Sequence, residues 1–585
     1  MSGIAISTTV TTGRHRQSAV RQRSLNMAKW RGLWVLAGFL LVSLCALMRV
    51  FFLGVSGADR SERDLFDMLV PARGSIVDRN GVPLARDFRT YALWFNPEAM
   101  KDGDSPLVGD PHEIALKLQG IFPDLDLART ERLLSTGKKG YLRKSVLPEQ
   151  VNQVEALGEP ALEHPREVER FYPQGSMAAH VLGYVDSYGQ GKIGMEQVFQ
   201  DQLTSSDGRA EPSVLSIDFR VQGALEDELG RGMVESKAKG AAGIILDVET
   251  GEILAMASLP AFDPNKVRAN DMVVTEEAAK LGEVPKGFNR VTNQVYELGS
   301  TFKPITVAAA LDAGTVTDLG RRYPAHPLHV AGFTIRDSHS MGASLNVPQT
   351  LIHSSNVTTA QIADEVGGER MKRVMETLGM NERPYVELPA RGFPIWPSGK
   401  WPRLRTMTVS YGHGIAVTPL HLASAYAALV NGGIWRPATL RKLSANEVPK
   451  GRRVFKASTS ARIRQMLRMI VVYGTGRKAD APGFRIGGKT GSAEKPGAGG
   501  YRRSSLVSTF AAAFPMDAPR YVVIAMMDEP QGTAATSYQR TAAWNAAPTV
   551  SRVVPRIGPL LGIMPDETRD IDISDLKPLI PGEAH

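Results

Sequence analysis

The chain has 585 residues, 43% of them hydrophobic and 22% charged, with a formal net charge of +9. That length exceeds one ordinary core and that composition is globular, so two folded domains are expected and a wholly disordered chain is excluded. Seven cations (Arg14, Arg16, Arg21, Arg23, Lys29, Arg31 and Arg49) precede the first acid, Asp59, and only +2 remains without them, so the basicity is a tail and not a nucleic-acid-binding groove.

Residues 1–31 are rich in Ser, Thr and Arg and read as a disordered tail. Residues 32–48 form an uncharged, mostly apolar run between Arg31 and Arg49. With Arg49 snorkelling, the run extends through residue 53, enough for one tilted membrane helix over 32–53. A cleavable signal peptide fits less well, because the run is long for one and no small-x-small site follows it. Cations before the helix and acids after it predict a cytoplasmic N-terminus with the bulk of the chain outside. Cys45 is the sole cysteine and lies inside this run, so the exported part is expected to hold together without disulfides.

Residues 59–235 carry short, Gly/Pro-punctuated strand and helix patterns and no catalytic constellation, which reads as a non-catalytic pedestal. A catalytic domain is expected over 241–565, followed by a C-terminal tail over 566–585. Within the domain, residues 244–248 and 252–257 flank Glu249-Thr250-Gly251, a hairpin signal. A helical middle follows. Then residues 484–491, 506–514 and 521–527 predict three more strands, and a helical stretch begins near Arg540. Five strands with helices segregated around them make an α+β domain on an antiparallel sheet.

Three motifs in this domain carry chemistry: Ser300-Thr301-Phe302-Lys303, Ser354-Ser355-Asn356 and Lys489-Thr490-Gly491. Singly, two of them are cheap. Ser-x-x-Lys recurs at Ser135, Ser236, Ser492 and Ser574, and Ser-x-Asn at Ser24, Ser344 and Ser444; Lys-Thr-Gly occurs once. Ser300 alone among the Ser-x-x-Lys serines heads an apolar run, residues 305–311, that ends at Gly314. That predicts a helix with Ser300 at its first positions, Pro304 in the first turn and a glycine cap. A positive helix end favours a developing oxyanion, and Lys303, three residues on, can take the hydroxyl proton. S-x-x-K, an S-x-N element and K-T-G in this order make a serine acyl-transfer signature.

A rival pattern overlaps the third motif. Residues 483–490 match G-x-x-x-x-G-K-T, and the apolar run 522–527 ends in Asp528-Glu529, as an ATPase would require. A phosphate loop must open a helix, however, and residues 491–500 hold four glycines and a proline. Metal chemistry has no motif behind it, so no metal and no cofactor are expected.

With these motifs the chain resembles the class B penicillin-binding proteins, membrane-bound peptidoglycan D,D-transpeptidases, and within them the septal, cell-division type. The likeness extends to residues 73–81 (Arg73-Gly74-Ser75-Ile76-Val77-Asp78-Arg79-Asn80-Gly81), Arg170-Phe171-Tyr172-Pro173, residues 180–183, Gly194-Met195-Glu196, and Tyr411-Gly412-His413-Gly414 through Thr418-Pro419. One departure is Ser492, where many members carry Thr. The resemblance implies a single membrane helix, an elongated pedestal and a five-stranded transpeptidase domain. It implies that Ser300 attacks the penultimate carbonyl of a stem peptide ending in D-Ala-D-Ala, with Lys303 as base, kept neutral by Lys489 and partial burial. The N–H groups of Ser300 and Ser492 would form the oxyanion hole. Ser354 would relay a proton to the leaving amine, and Asn356 would orient Lys303 and the substrate amide. Lys489 and Thr490 would bind the terminal carboxylate, while Gly491 would let substrate backbone lie along the strand. A second stem's amine then takes the acyl group. The implied partners are stem peptides as donor and acceptor, β-lactams as inhibitors, the membrane, a glycan polymerase of the SEDS family and other division proteins. A side-wall elongation transpeptidase, a β-lactam sensor, a β-lactamase and a carboxypeptidase share the same motifs; no deacylating glutamate of the β-lactamase kind is identifiable.

Overall fold

The computed structural model describes residues 27, 29–51, 72–100, 107–280, 282–497 and 500–582. The expected tail over 1–26, the helix end at 52–53, the start of the pedestal over 59–71 and the last three residues lie outside them. The chain divides into two units, Met1–Ala72 and Arg73–His585. In the first, Lys29–Phe51 is a single helix of 23 residues, about 35 Å at 1.5 Å per residue and so of bilayer-spanning length. Trp34, Phe39, Leu40 and Phe51 are exposed on it, as on a helix whose apolar faces meet lipid.

In the second unit, the long strand Pro83–Phe95 organises a six-stranded sheet. It pairs with Gly140–Val146, Leu162–Glu163, Arg166–Phe171 and Ile76–Val77. Ile76–Val77 in turn pairs in parallel with Ser213–Val214. The far half of this sheet closes over Leu93, Phe95, Ile114, Leu118, Phe122 and Leu134, all buried. The near half is held by charge. Glu196 is fully buried and accepts from Arg73 Nε at 2.6 Å and Arg170 Nε at 2.7 Å. Arg170 also reaches Asp87 at 3.1 Å, and Arg73 reaches Gln200 at 2.8 Å. Three sequence stretches far apart in the chain thus meet at one carboxylate, which explains why they contain Arg73, Arg170 and Glu196. A buried ion needs such dense pairing, because desolvation costs several kcal/mol per charge.

The pedestal joins the catalytic domain through Asp78, whose carboxylate accepts from Asn80 N, Val82 N and Phe219 N, and through Ser216, whose hydroxyl donates to Ile253 O at 2.7 Å. Phe219–Glu235 is the first long helix, α1, capped by Asp218. The sheet it covers consists of β1 (Gly240–Asp247), β2 (Ile253–Leu259), β3 (Gly487–Gly497), β4 (Gly500–Phe514) and β5 (Tyr521–Asp528), in the order β2-β1-β5-β4-β3 and antiparallel throughout. Ile244, Leu246, Val522, Ile524 and Met526 face one layer. That layer is built from α2 (Lys303–Ala313), α3 (Val347–Ile352), α4 (Asn356–Val366), α5 (Pro419–Val430) and α6 (Ala457–Tyr473). Ile245, Val523, Ala525 and Met527 face the other, formed by α1 and α7 (Ala546–Ile557). Both faces are covered, so β1 and β5 are buried at every position and read as unbroken apolar runs.

Two expectations change. The strand expected over 484–491 begins at Gly487 and runs on to Gly497, since as an edge strand it tolerates Gly and Pro while β4 supplies its only ladder. Residues 491–497 therefore continue a strand and open no helix, and the phosphate-loop geometry is not formed. The stretch expected as a C-terminal tail lies against α6: Arg468 binds Asp570 at 2.8 Å, Gln465 binds Asp572 O at 2.7 Å, and Leu576 and Ile580 are buried. Near its end, Leu579 O accepts from Asn346 Nδ2 at 2.6 Å.

Glu196→Ala leaves Arg73 and Arg170 buried without their shared partner. It should cost the pedestal about 3–5 kcal/mol, read from the urea midpoint by circular dichroism, and an unmoved midpoint would show that the cluster does not hold this half of the sheet together.

Candidate active site

The three motifs arrive from three kinds of element. Ser300 lies in the 3₁₀ turn Gly299–Phe302, and α2 starts only at Lys303, with Pro304 in its first turn and Gly314 closing it at φ +71°. Ser300 therefore precedes the helix by one tight turn instead of sitting within it. Glycines permit the turn's position. A Cβ on Gly412 (φ +80°) would come within 2.3 Å of Gly299 O, and one on Gly491 within 2.4 Å of Leu298 O. The turn is thus pressed between the 411–414 loop and β3. Gly491, expected to make room for substrate backbone, makes room first for the protein's own Ser300 turn.

Ser354 sits between α3 and α4 at φ +63°, a left-handed conformation that costs a non-glycine residue about 1–3 kcal/mol. What holds it is a pair of lysines. Lys303 and Lys489 are both fully buried. Lys303 Nζ donates to Ser354 O and, at 3.1 Å, to Ser354 Oγ; Lys489 Nζ donates to the same Oγ at 2.8 Å. One hydroxyl therefore bridges two amines. Burial, and next the charge of Lys489, hold the Lys303 amine well below its ordinary value, with Asp337 opposing them. Burial lowers Lys489 to about 7. The expected cause of a neutral Lys303 included partial burial; burial is complete and is the larger effect.

Lys489 also donates to Thr490 O at 3.1 Å, and Thr490 Oγ1 pairs with Thr475 Oγ1 at 2.8 Å, just beyond the end of α6. Ser492 Oγ accepts from Ala542 N at 3.1 Å, tying β3 to the turn before α7. Asn356 is placed differently from the expectation. Its Nδ2 donates to Arg336 O at 3.2 Å, and Lys303 is oriented by Ser354 instead. The reason is Asp337, a residue outside the motifs. Its carboxylate accepts from Ser355 Oγ at 2.7 Å, Asn356 N at 2.5 Å and Val357 N at 3.2 Å, and so caps α4 from outside the helix. Asp337 and Thr475 escaped the motif reading because their partners lie elsewhere in the chain, although an acid two residues past a short strand is a plausible cap in retrospect. His413, in the 411–414 loop, lies within electrostatic range of Lys303, and burial lowers its pKa.

Two family models fit this arrangement: the penicillin binding protein transpeptidase domain over residues 241–549 and the penicillin-binding protein dimerisation domain over 68–228. The chain belongs to the penicillin-binding protein transpeptidases, in the class B form that joins those two domains. Within that class it is of the septal type. It is 39% identical over 502 residues to a probable peptidoglycan D,D-transpeptidase FtsI of Caulobacter vibrioides, covering 84% of this chain and 82% of that protein. It is 31% identical to the probable peptidoglycan D,D-transpeptidase PenA of Neisseria gonorrhoeae, with 82% and 83% covered. Penicillin binding protein 3 of Mycobacterium tuberculosis, solved with ampicillin, shares the fold at a TM-score of 0.64 and 24% identity, over 86% of this chain and 98% of that one.

Asp337→Ala removes two bonds to the second motif and one to Val357 beside it, the first of them from the hydroxyl that itself caps α4. Loss of a charge-assisted bond costs about 1.5–3 kcal/mol, so thermal unfolding should show a clear drop in Tm, and an unchanged Tm would mean that the motif is held without it.

Proposed function

We propose that the chain is a septal peptidoglycan D,D-transpeptidase that works through a serine acyl-enzyme at Ser300, with Lys303, Ser354, Asn356 and Lys489 as its catalytic partners and Thr490, Gly491 and Ser492 as the substrate-binding strand. The observation that carries this reading is the convergence of two buried lysines on the Ser354 hydroxyl, one of them, Lys303, a single turn after Ser300. A lysine whose amine is kept neutral by burial and a like charge is a base at neutral pH. In this reading Lys303 takes the Ser300 proton as Oγ attacks the penultimate D-Ala carbonyl. The oxyanion is met by the N–H groups of Ser300 and Ser492. The proton passes through Ser354 Oγ, already bonded to both amines, to the leaving D-Ala nitrogen. Lys489 and Thr490 hold the terminal carboxylate, and the Asn356 amide meets the substrate amide. An acceptor amine then takes the acyl group and frees Ser300.

The remaining assignments follow from the same reading. Residues 1–31 face the cytoplasm and 32–53 cross the inner membrane. Residues 59–235 form the pedestal, 241–565 form the transpeptidase domain outside the membrane, and 566–585 form the C-terminal segment. β-Lactams, which resemble D-Ala-D-Ala, acylate Ser300. A SEDS-family glycan polymerase and other division proteins are the expected partners.

Two measurements test this. Ser300→Ala should keep the fold and lose the penicillin adduct in mass spectrometry, and an adduct that persists or maps to another serine sinks the assignment. Lys489→Ala should slow acylation about ten- to a hundred-fold through loss of one charge-assisted bond.

The pH profile gives an independent check. Acylation should rise with pH as Lys303 deprotonates below the ordinary lysine value, then fall above about 7 as Lys489 loses the proton that binds carboxylate. A rate still climbing at pH 9 would contradict these roles.

A further inference from the structure

At the start of α6, away from the three motifs, lies a cavity of about 1230 Å³. It is bounded by the β1–β2 turn, the end of α5, the first turns of α6 and the start of β5. From Ser460 on its wall to the end of α6, where Thr475 meets Thr490, the helix rises roughly 20 Å. The cavity and the active site are thus at opposite ends of one helix.

Three arginines line it: Arg436, Arg464 and Arg520. Arg520 is neutralised by Asp247 and Glu249, the latter the only carboxylate in the lining. Other polar groups in the wall are spent within the fold. Ser460 Oγ donates to Leu429 O and accepts from Gly432 N, and Asn431 Nδ2 donates to Val248 O and Ile434 O. Two cations are left. Arg436 uses only Nε, on Pro449 O, and Arg464 Nε has no hydrogen-bond partner among the described residues, while Asp517, a carboxylate in electrostatic range of Arg464, is already bound by Arg485 and Arg569. Arg464 Nε is closed off from solvent as well, and burial lowers the pKa of the group. A half-buried guanidinium without an acceptor is costly, and a ligand carboxylate would remove that cost. Val448, Leu561 and Ile563 supply apolar wall between the charges.

We infer that this cavity is a second, non-catalytic binding site for a peptidoglycan stem peptide, whose carboxylates pair with Arg436 and Arg464. The inference rests on the transpeptidase reading for the identity of the ligand, since a stem peptide is the carboxylate-rich chain this protein would meet at its working surface. Its small apolar side chains suit the wall, and the volume exceeds what a single small anion would fill.

The test uses the full-length chain in detergent micelles, acylated by penicillin so that Ser300 is blocked, and titrated calorimetrically with a soluble stem pentapeptide. Binding to the acylated protein is expected, weakened at least tenfold in the Arg436→Ala/Arg464→Ala double variant. The penicillin acylation rate of that variant should match the parent. No heat with the acylated parent, or equal binding by the folded double variant, overturns the inference. A second arm needs no variant: a pentapeptide with its carboxylates amidated should fail to bind the acylated parent, and undiminished binding also overturns it. The adduct mass reports on Ser300 and the heat reports on the cavity, so the two readings fail separately.

Discussion

Two lysine amines buried about one hydroxyl make the constraint around which the catalytic domain is arranged. Two unit charges about 5 Å apart repel by roughly 3 kcal/mol at an effective dielectric of about 20, and neither is solvated here. Burial and this repulsion together hold the Lys303 amine well below its ordinary value. Ser354 lies between the two amines, held in a left-handed conformation that isolated serine avoids. The reactive state of the site is therefore a property of packing. The Lys303 amine is held low because α2 is buried along most of its length, and α2 is buried because both faces of the sheet are covered.

The same dependence runs outward. β3 brings Lys489 to Ser354 only because it is an edge strand held on one side by β4, which leaves its other side open to an extended peptide. Asp337 fixes the start of α4, and so the loop that carries Ser354. Beyond the domain, Asp78 and Ser216 join the pedestal to β2 and α1, while Glu196 gathers Arg73 and Arg170 into a single buried cluster. Each of these contacts is a polar group whose burial is offset by several partners, although Arg170 Nη2 itself has none among the described residues.

Much of this was legible in the sequence wherever the signal is local. The β1–β2 hairpin shows in Glu249-Thr250-Gly251, α2 shows in its apolar run and Gly314, and the membrane helix shows in its length. The site residues were nameable because short motifs encode residue type at fixed spacing. What escaped is set by distance along the chain. Asp337 caps residues 18 to 20 positions away, and the role of Gly491 depends on Leu298, which no local pattern brings beside it. The extension of β3 to Gly497 was hidden by a composition that in isolation disfavours a strand. The C-terminal segment was read as a tail because its apolar residues, Ile571, Ile573, Leu576, Leu579 and Ile580, are scattered among acids and prolines.

That segment has a consequence for how the protein is made. Leu579 O holds Asn346, the residue that caps α3 and so begins the path to Ser354, across 233 positions of chain. A chain made from its N-terminus has Ser300, both lysines and the whole sheet before residues 566–582 appear. Contacts of such long range form last and slowly. Full bracing of the second motif therefore waits for a stretch of chain made after every residue of the three motifs.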